Sequence, residues 1–313
     1  RYIYLYIPLI TMGLMSREYQ SGSIKLLYSS PVKNTSIIIG KFLSMMVYGG
    51  ALIAVLGVFV IFSAITIVNF DYPLVMSGML GLYLLILAYS AIGLFMSSIT
   101  KYQVVAAIGT LAVLAVLNFI GDVGQDYDLV RHITYWLSIT GRAYPFIDGL
   151  IASDNIFYFL IVIGFFLALS ILKLNTEKTI TPLKIKVLKY CVIVFVVLIL
   201  GYVSSTPYTK YYYDATYTKS NTLAKESQDV IKNLDGDLTI TTYVNLLDED
   251  LYNGLPRNRN NDFKRFEKYY RFKPDIEMKY VYYYDKSNNS SLEWRFPNKT
   301  SRRGWNCCVK LTT

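Results

Sequence analysis

Long uncharged apolar stretches, separated by short lysine-bearing connections, dominate the first two thirds of the chain. A helix needs about 20 apolar residues to cross a hydrocarbon core of about 30 Å. Phe42–Val68, Leu74–Ser98, Gln103–Ile120 and Ile156–Leu172 carry no charged residue, and Leu188–Ser205 carries only Lys189. Tyr2–Met15 reads as the C-terminal part of one more span. A surface helix of a soluble protein shows a polar stripe, and these segments have none. Small residues recur at a spacing of four, as in Gly50 with Ala54 and Gly93 with Ser97, which predicts close helix–helix approach. The predicted fold is mainly α: a polytopic transmembrane helix bundle of about six spans, the first truncated, with a small extracytoplasmic α/β domain.

The pattern changes after Thr206, where charge becomes dense. Ser220–Leu234 reads as a helix with Leu223, Ser227, Val230, Ile231 and Leu234 on one side, ended by Gly236. Asp237–Val244 alternates as a strand, Asn258–Arg271 is a charged helix carrying Phe263, Phe266, Tyr269 and Tyr270, and Pro274 precedes a strand at Ile276–Tyr284. Strand, helix, strand at this spacing predicts a right-handed βαβ unit. Tyr208 and Tyr211–Tyr213 fit an interfacial aromatic belt, although tyrosine is abundant throughout, with 29 in the chain. The expected division is a membrane domain at 1–187, an additional transmembrane helix at 188–205, an incomplete extracytoplasmic α/β domain at 206–299 and an anomalous tail at 300–313. That tail, SRRGWNCCVKLTT, continues neither a helix nor a strand and reads as a premature end or a shifted frame. A basic or metal site built from Arg302, Arg303, Cys307 and Cys308 is the other reading.

Charge sets the orientation. Charged residues make up 17% of the chain, against about 25% in soluble domains. Gly13–Lys41 holds Arg17, Lys25, Lys33 and Lys41, the turn after Ser98 holds Lys101, and Lys173–Lys189 holds five lysines. The alternate connections are poor in Lys and Arg: Asn69–Pro73 has none, and Gly121–Asn155 sets Arg131 and Arg142 against five aspartates. Placing the lysine-rich connections in the cytoplasm satisfies every span in turn and puts residues after Ser205 outside. The net charge of +9 is thus a topology signal, and nucleic acid is not an expected partner.

No phosphate-binding G-x-x-x-x-G-K-[ST] loop occurs, since Gly40–Lys41 is followed by Phe42. Any ATP hydrolysis belongs to another chain, and no cofactor, metal or catalytic residue is assigned here. His132, the single histidine, reads as a surface residue; Asp122, Asp126 and Asp128 read as a solvated acidic loop rather than an ion site. Cys191 reads as a small packing residue within a span. The sequons at Asn288, Asn289 and Asn298 are ascribed to chance.

The most informative stretch is Ser16–Lys41, SREYQSGSIKLLYSSPVKNTSIIIGK. Ser16 is a candidate helix cap with Glu18 in the first turn. Ile24, Leu27 and Tyr28 share one helical face, Pro31 forces Ser30 out of helical geometry, and Asn34 or Thr35 can cap the next helix. The result is a short amphipathic helix at the cytoplasmic face. It can be an interfacial anchor to lipid or a lever that docks into a partner ATPase.

Glu18, Gly22, Leu26–Leu27, Ser30–Pro31–Val32 and Gly40–Lys41 resemble the loop of ABC-2-type permeases, exporter membrane subunits that pair with a separate ATPase. Tyr144–Pro145–Phe146, Gly149–Leu150 and Asp154 resemble that family's outer loop and last span, so the likeness runs to about residue 174. The resemblance implies six spans, one of them before Arg1. It also implies ATPase contact through Glu18, Gly22, Leu26, Leu27, Ser30, Pro31 and Val32, and a dimer of membrane domains in the bacterial inner membrane. Asp214, Lys219–Ser220 and Leu234–Asp235–Gly236 resemble the start of the auxiliary extracytoplasmic protein of gliding-motility-type ABC systems. Three functions follow as expectations: an exporter permease, an assembly platform for a cell-envelope complex, or an ion-coupled carrier. The third fits poorly, because the four complete spans contain no ionisable group.

Overall fold

A computed structural model describes residues 3–125, 127–178, 182–204, 206, 210–234, 236, 238–249, 251–273 and 275–283. Asp126, the sequons and the 300–313 tail lie outside these residues, as do the side chains of Asp122, Asp128 and His132. The described residues within 1–121 and 134–222 form one compact unit, and those within 122–133 and 223–313 form a second.

In the first unit, helices α1 (Ile3–Thr11) and α2 (Gly13–Ser21) follow one another almost without a break, and α3 (Ile24–Ser29) is a short turn beyond them. Among the described residues, four helices are long and apolar enough to cross a membrane: α4 (Asn34–Thr66), α5 (Tyr72–Ile99), α9 (Ser153–Lys178) and α10 (Leu183–Ser204). The shorter apolar α6 (Gln103–Phe119) completes the set. The predicted spans thus all stand as helices, and the four long ones begin earlier than predicted: α4 begins eight residues before Phe42, and α10 begins at Leu183 rather than Leu188.

The core centres on α5, whose Leu84–Leu94 stretch is buried almost continuously, with Ile7, Leu114, Phe146 and Phe159 packed around it. Gly93 is where α1 comes closest. A Cβ there would collide with the buried Thr11 side chain, so glycine is what permits this approach. Ser97, one turn on, also meets the α1–α2 segment. Gly50 and Ala54 do not share that role. A Cβ at Gly50 would meet nothing within 4 Å, and Ala54 is exposed. Cys191 is likewise exposed rather than packed, because α10 lies at the margin of the unit.

The connection at 121–155 is more ordered than its polar composition predicts. It holds α7 (Asp128–Leu137), α8 (Ile139–Ile147) and strand β1 (Leu150–Ala152). Ser138 caps α8 by accepting from the Gly141 N–H at 3.2 Å. Tyr212–Asp214 form strand β2, antiparallel to β1 with Ile151 opposite Tyr213. Two of the three clustered tyrosines are therefore strand residues. Asp214 then organises the turn that follows. Its carboxylate accepts from Thr216 N (3.0 Å), Thr216 Oγ1 (2.7 Å), Asn221 N (2.8 Å) and Thr222 Oγ1 (3.1 Å). Burial alone would raise the Asp214 carboxyl, but these hydrogen bonds outweigh it and hold the group below the ordinary aspartate range. The Tyr217 N–H donates to Asp71 Oδ2 at 2.8 Å, which joins this turn to the cap of α5.

In the second unit, strands β3 (Leu238–Asn245) and β4 (Ile276–Tyr283) pair in parallel, with Leu238 opposite Ile276. Between them lie α12 (Leu251–Gly254), a 3₁₀ turn (Pro256–Asn258) and α13 (Arg259–Tyr270). A parallel pair requires a crossover of this kind. Val244 and Ile276 are buried, and Tyr280 Oη donates to Asp262 Oδ2 at 3.0 Å. The predicted helix over Ser220–Leu234 is shorter: α11 covers Lys225–Lys232. Residues 220–222 are diverted into the Asp214 turn, and Gly236 sits in the turn beyond Asn233 with φ +90° rather than at the helix end.

Candidate functional site

The three lysine-bearing connections meet at one end of the first unit. Glu18 of α2 pairs with Lys41 of α4 at 2.5 Å, and Lys41 also donates to the Leu14 carbonyl. Asn34, at the start of α4, donates to Asn175 Oδ1 near the end of α9 at 2.9 Å. Gln103, at the start of α6, donates to Gln20 Oε1 of α2 at 3.4 Å.

Local chemistry shapes the loop at that end. Ser16 does not cap a helix. It lies within α2, where its hydroxyl donates back to the Met12 carbonyl. Met12 occupies the cap position without a side-chain bond, and Ser97 of α5 substitutes for it. Ser97 Oγ accepts from the N–H groups of Met15 (2.9 Å) and Ser16 (3.0 Å) and donates to the Met12 carbonyl at 2.8 Å. Met15 lies in the first turn of α2, where N–H groups have no acceptor within the helix. Gly22 ends α2 in the left-handed region at φ +75°, so the single helix expected between Ser16 and Pro31 is broken into α2 and α3. Ser30 is extended ahead of Pro31, so α3 stops at Ser29. Neither Asn34 nor Thr35 caps α4. Lys33 stands at the cap, and Asn34 is engaged with Asn175 instead.

The loop has two faces. Ile24 is buried, and Leu27 and Tyr28 pack against the core. Leu26 is 73% exposed and Val32 45%, with Pro31 exposed between them. Gly22 is also exposed, and Ser30 Oγ accepts from the Val32 N–H at 3.2 Å. Glu18 belongs with neither group, because it is turned inward onto Lys41.

Sequence reading missed Glu177. Its Oε2 accepts from Tyr19 Oη (2.5 Å) and Tyr28 Oη (3.1 Å), and its Oε1 pairs with Lys173 at 2.8 Å. Burial, then the bond to Glu177, raises the Tyr19 phenol far above the ordinary tyrosine range, so it remains a proton donor. Burial likewise raises Tyr28. The available signal was that Glu177 is the one acid in the lysine-rich segment Lys173–Lys189. One carboxylate therefore ties α2 and α3 to the end of α9, about 150 residues away in sequence.

Among known proteins, residues 3–125 match the family described as ABC-2 family transporter protein. No curated protein and no solved structure matches the chain. The matched residues take in α1–α6 and the whole of this loop. The chain thus has the helices of a multi-pass membrane protein, and its residues 3–125 are similar to the ABC-2 family transporter proteins.

Proposed function

We propose that the chain is the membrane subunit of an ABC-type exporter, energised by a separate ATPase that docks on the loop of residues 16–41. The observation that carries this reading is the two-sided build of the loop. Leu26, Pro31 and Val32 are exposed at its tip, while Tyr19 and Tyr28 clamp it to Glu177 on α9. A tip that stands free and a base that is fastened to a span suit a lever. Movement imposed on the tip reaches α9 through Glu177 and α4 through the Glu18–Lys41 pair. Nucleotide in the ATPase would bias two arrangements of the bundle, and ATP is bound and hydrolysed only by that partner.

In this reading Leu26, Leu27, Ser30, Pro31 and Val32 form or shape the docking surface, Gly22 sets its turn, and Glu18 is a positioning residue. The lysine-rich end faces the cytoplasm. Two membrane domains associate, and residues 206–299 lie outside as an auxiliary domain of the gliding-motility type.

The test is co-purification of the full-length chain with its ATPase. Leu26→Asp combined with Val32→Asp should weaken the association about tenfold or more, equivalent to about 1.4 kcal/mol. Glu177→Gln should leave association intact but cut ATP-driven transport and its stimulation of the ATPase. Wild-type association in the double variant would refute the docking assignment, and wild-type transport in Glu177→Gln would refute the lever.

A further inference from the structure

Helices α9 and α10 follow each other in the chain and pack together, and their outer surface holds a groove of about 390 Å³. Phe157, Gly164 and Ala168 of α9 and Val192, Val196 and Leu200 of α10 line it, and no lining residue carries a polar side chain. The stretch from Phe157 to Ala168 rises about 17 Å at 1.5 Å per residue. One leaflet of a hydrocarbon core of about 30 Å is about 15 Å deep, so the groove has the length of one leaflet. Gly164 leaves it open: a Cβ there would meet nothing within 4 Å.

At one end the groove runs into charge. Residues three and four apart share a helix face. Lys189 therefore lies on the face of α10 that presents Val192, Ile193, Val196 and Leu200, and Lys186 lies one turn before it. Lys189 is exposed and Lys186 half-buried, and neither takes part in an ion pair among the described residues. Glu177 does not neutralise them, because it points to Tyr19, Tyr28 and Lys173.

We propose that this groove binds one acyl chain of an anionic phospholipid whose phosphate rests against Lys186 and Lys189. An uncharged tail matches the lining, and basic residues at the membrane surface attract anionic headgroups. A second copy of the chain is a poorer occupant. A two-fold axis along the membrane normal would bring the lysines of both copies to one level, where like charges repel. The inference requires only that α9 and α10 cross a membrane, whatever partner the loop engages.

The test uses the full-length chain, purified in detergent, delipidated and titrated with phosphatidylglycerol or phosphatidylcholine under native mass spectrometry. The wild type should retain phosphatidylglycerol about tenfold or more over phosphatidylcholine, and excess inorganic phosphate should not displace it. Lys186→Gln with Lys189→Gln should abolish that preference while phosphatidylcholine binding persists. Gly164→Phe, which fills the groove, should reduce binding of both lipids. An unchanged preference in the lysine variant overturns the proposal. Unchanged lipid binding in Gly164→Phe also overturns it, and a simultaneous loss of dimer mass would make the groove an interface between copies. If Gly164→Phe does not fold, Val196→Trp in phosphatidylcholine vesicles doped with brominated phosphatidylglycerol decides the matter. Quenching well above the bulk mole fraction supports the site, and quenching equal to it refutes it.

Discussion

Helices α5 and α10 are both long enough to span a membrane and are composed almost wholly of apolar and small residues, yet their surroundings are opposite. Fourteen residues of α5 are buried, against two of α10, Gly201 and Ser204. In water, apolar composition would predict burial for both. In lipid it does not, because hydrocarbon solvates Leu and Val as well as a protein interior does. What separates the two helices is small and polar residues. Eight of the fourteen buried residues of α5 are Gly, Ala or Ser, and among them Gly93 and Ser97 admit α1 and α2 closely. The middle of α10 runs Val-Ile-Val-Phe-Val-Val-Leu-Ile-Leu with nothing small. It packs on one side against α9, and only near its end does a small residue, Gly201, admit a neighbour, Trp136.

Substitutions can break or sharpen that contrast. Gly93→Leu in α5 should have the largest effect, since even a Cβ collides with Thr11. A loss of about 3 kcal/mol is expected from overpacking, read as a collapse of the unfolding midpoint in detergent. Ser97→Ala comes next. It removes the acceptor that serves Met15 and Ser16, at a cost of about 2 kcal/mol, and amide exchange at the first turn of α2 should accelerate. A third test concerns the Asp214 turn beyond α10. Because Asp214 sits below its ordinary range when folded, its stabilising contribution is complete above the ordinary aspartate range and is lost as pH falls through the lowered value. Protease cleavage within 211–222 should therefore rise on acidification, and Asp214→Asn should be cleaved more readily at neutral pH, with a weaker acid dependence. The smallest effect is expected for Leu198→Val on α10, where Leu198 is 57% exposed. Its stability should fall by no more than about 0.5 kcal/mol, and a larger loss would mean that the Leu198 side chain is packed against protein.

The spans, their alternation with lysine, the parallel β–α–β order and the two-sided loop were legible in the sequence, because each rests on local pattern. An uncharged run of bilayer length has few other uses, Pro31 acts on its own neighbour, and Ile24, Leu27 and Tyr28 need only helical spacing to share a face. Long-range polar pairing was not legible. Nothing local to Glu177 indicates Tyr19 and Tyr28, nothing near Asn34 indicates Asn175, and Ser97 gives no sign of capping a helix more than 80 residues earlier. The capping roles expected of Ser16 and Asn34 failed for the same reason: a partner elsewhere in the bundle satisfied the helix start or claimed the side chain.

The amino-acid sequence alone determined that this chain enters a membrane and where it crosses, because transfer of apolar side chains to hydrocarbon depends on composition and length. Tertiary structure decided which helix is central, which residues fasten the loop to α9 and how β2 joins β1. Those outcomes depend on close approach and on hydrogen bonds between segments far apart in the chain, and a bilayer supplies no hydrophobic force between helices to announce them in advance.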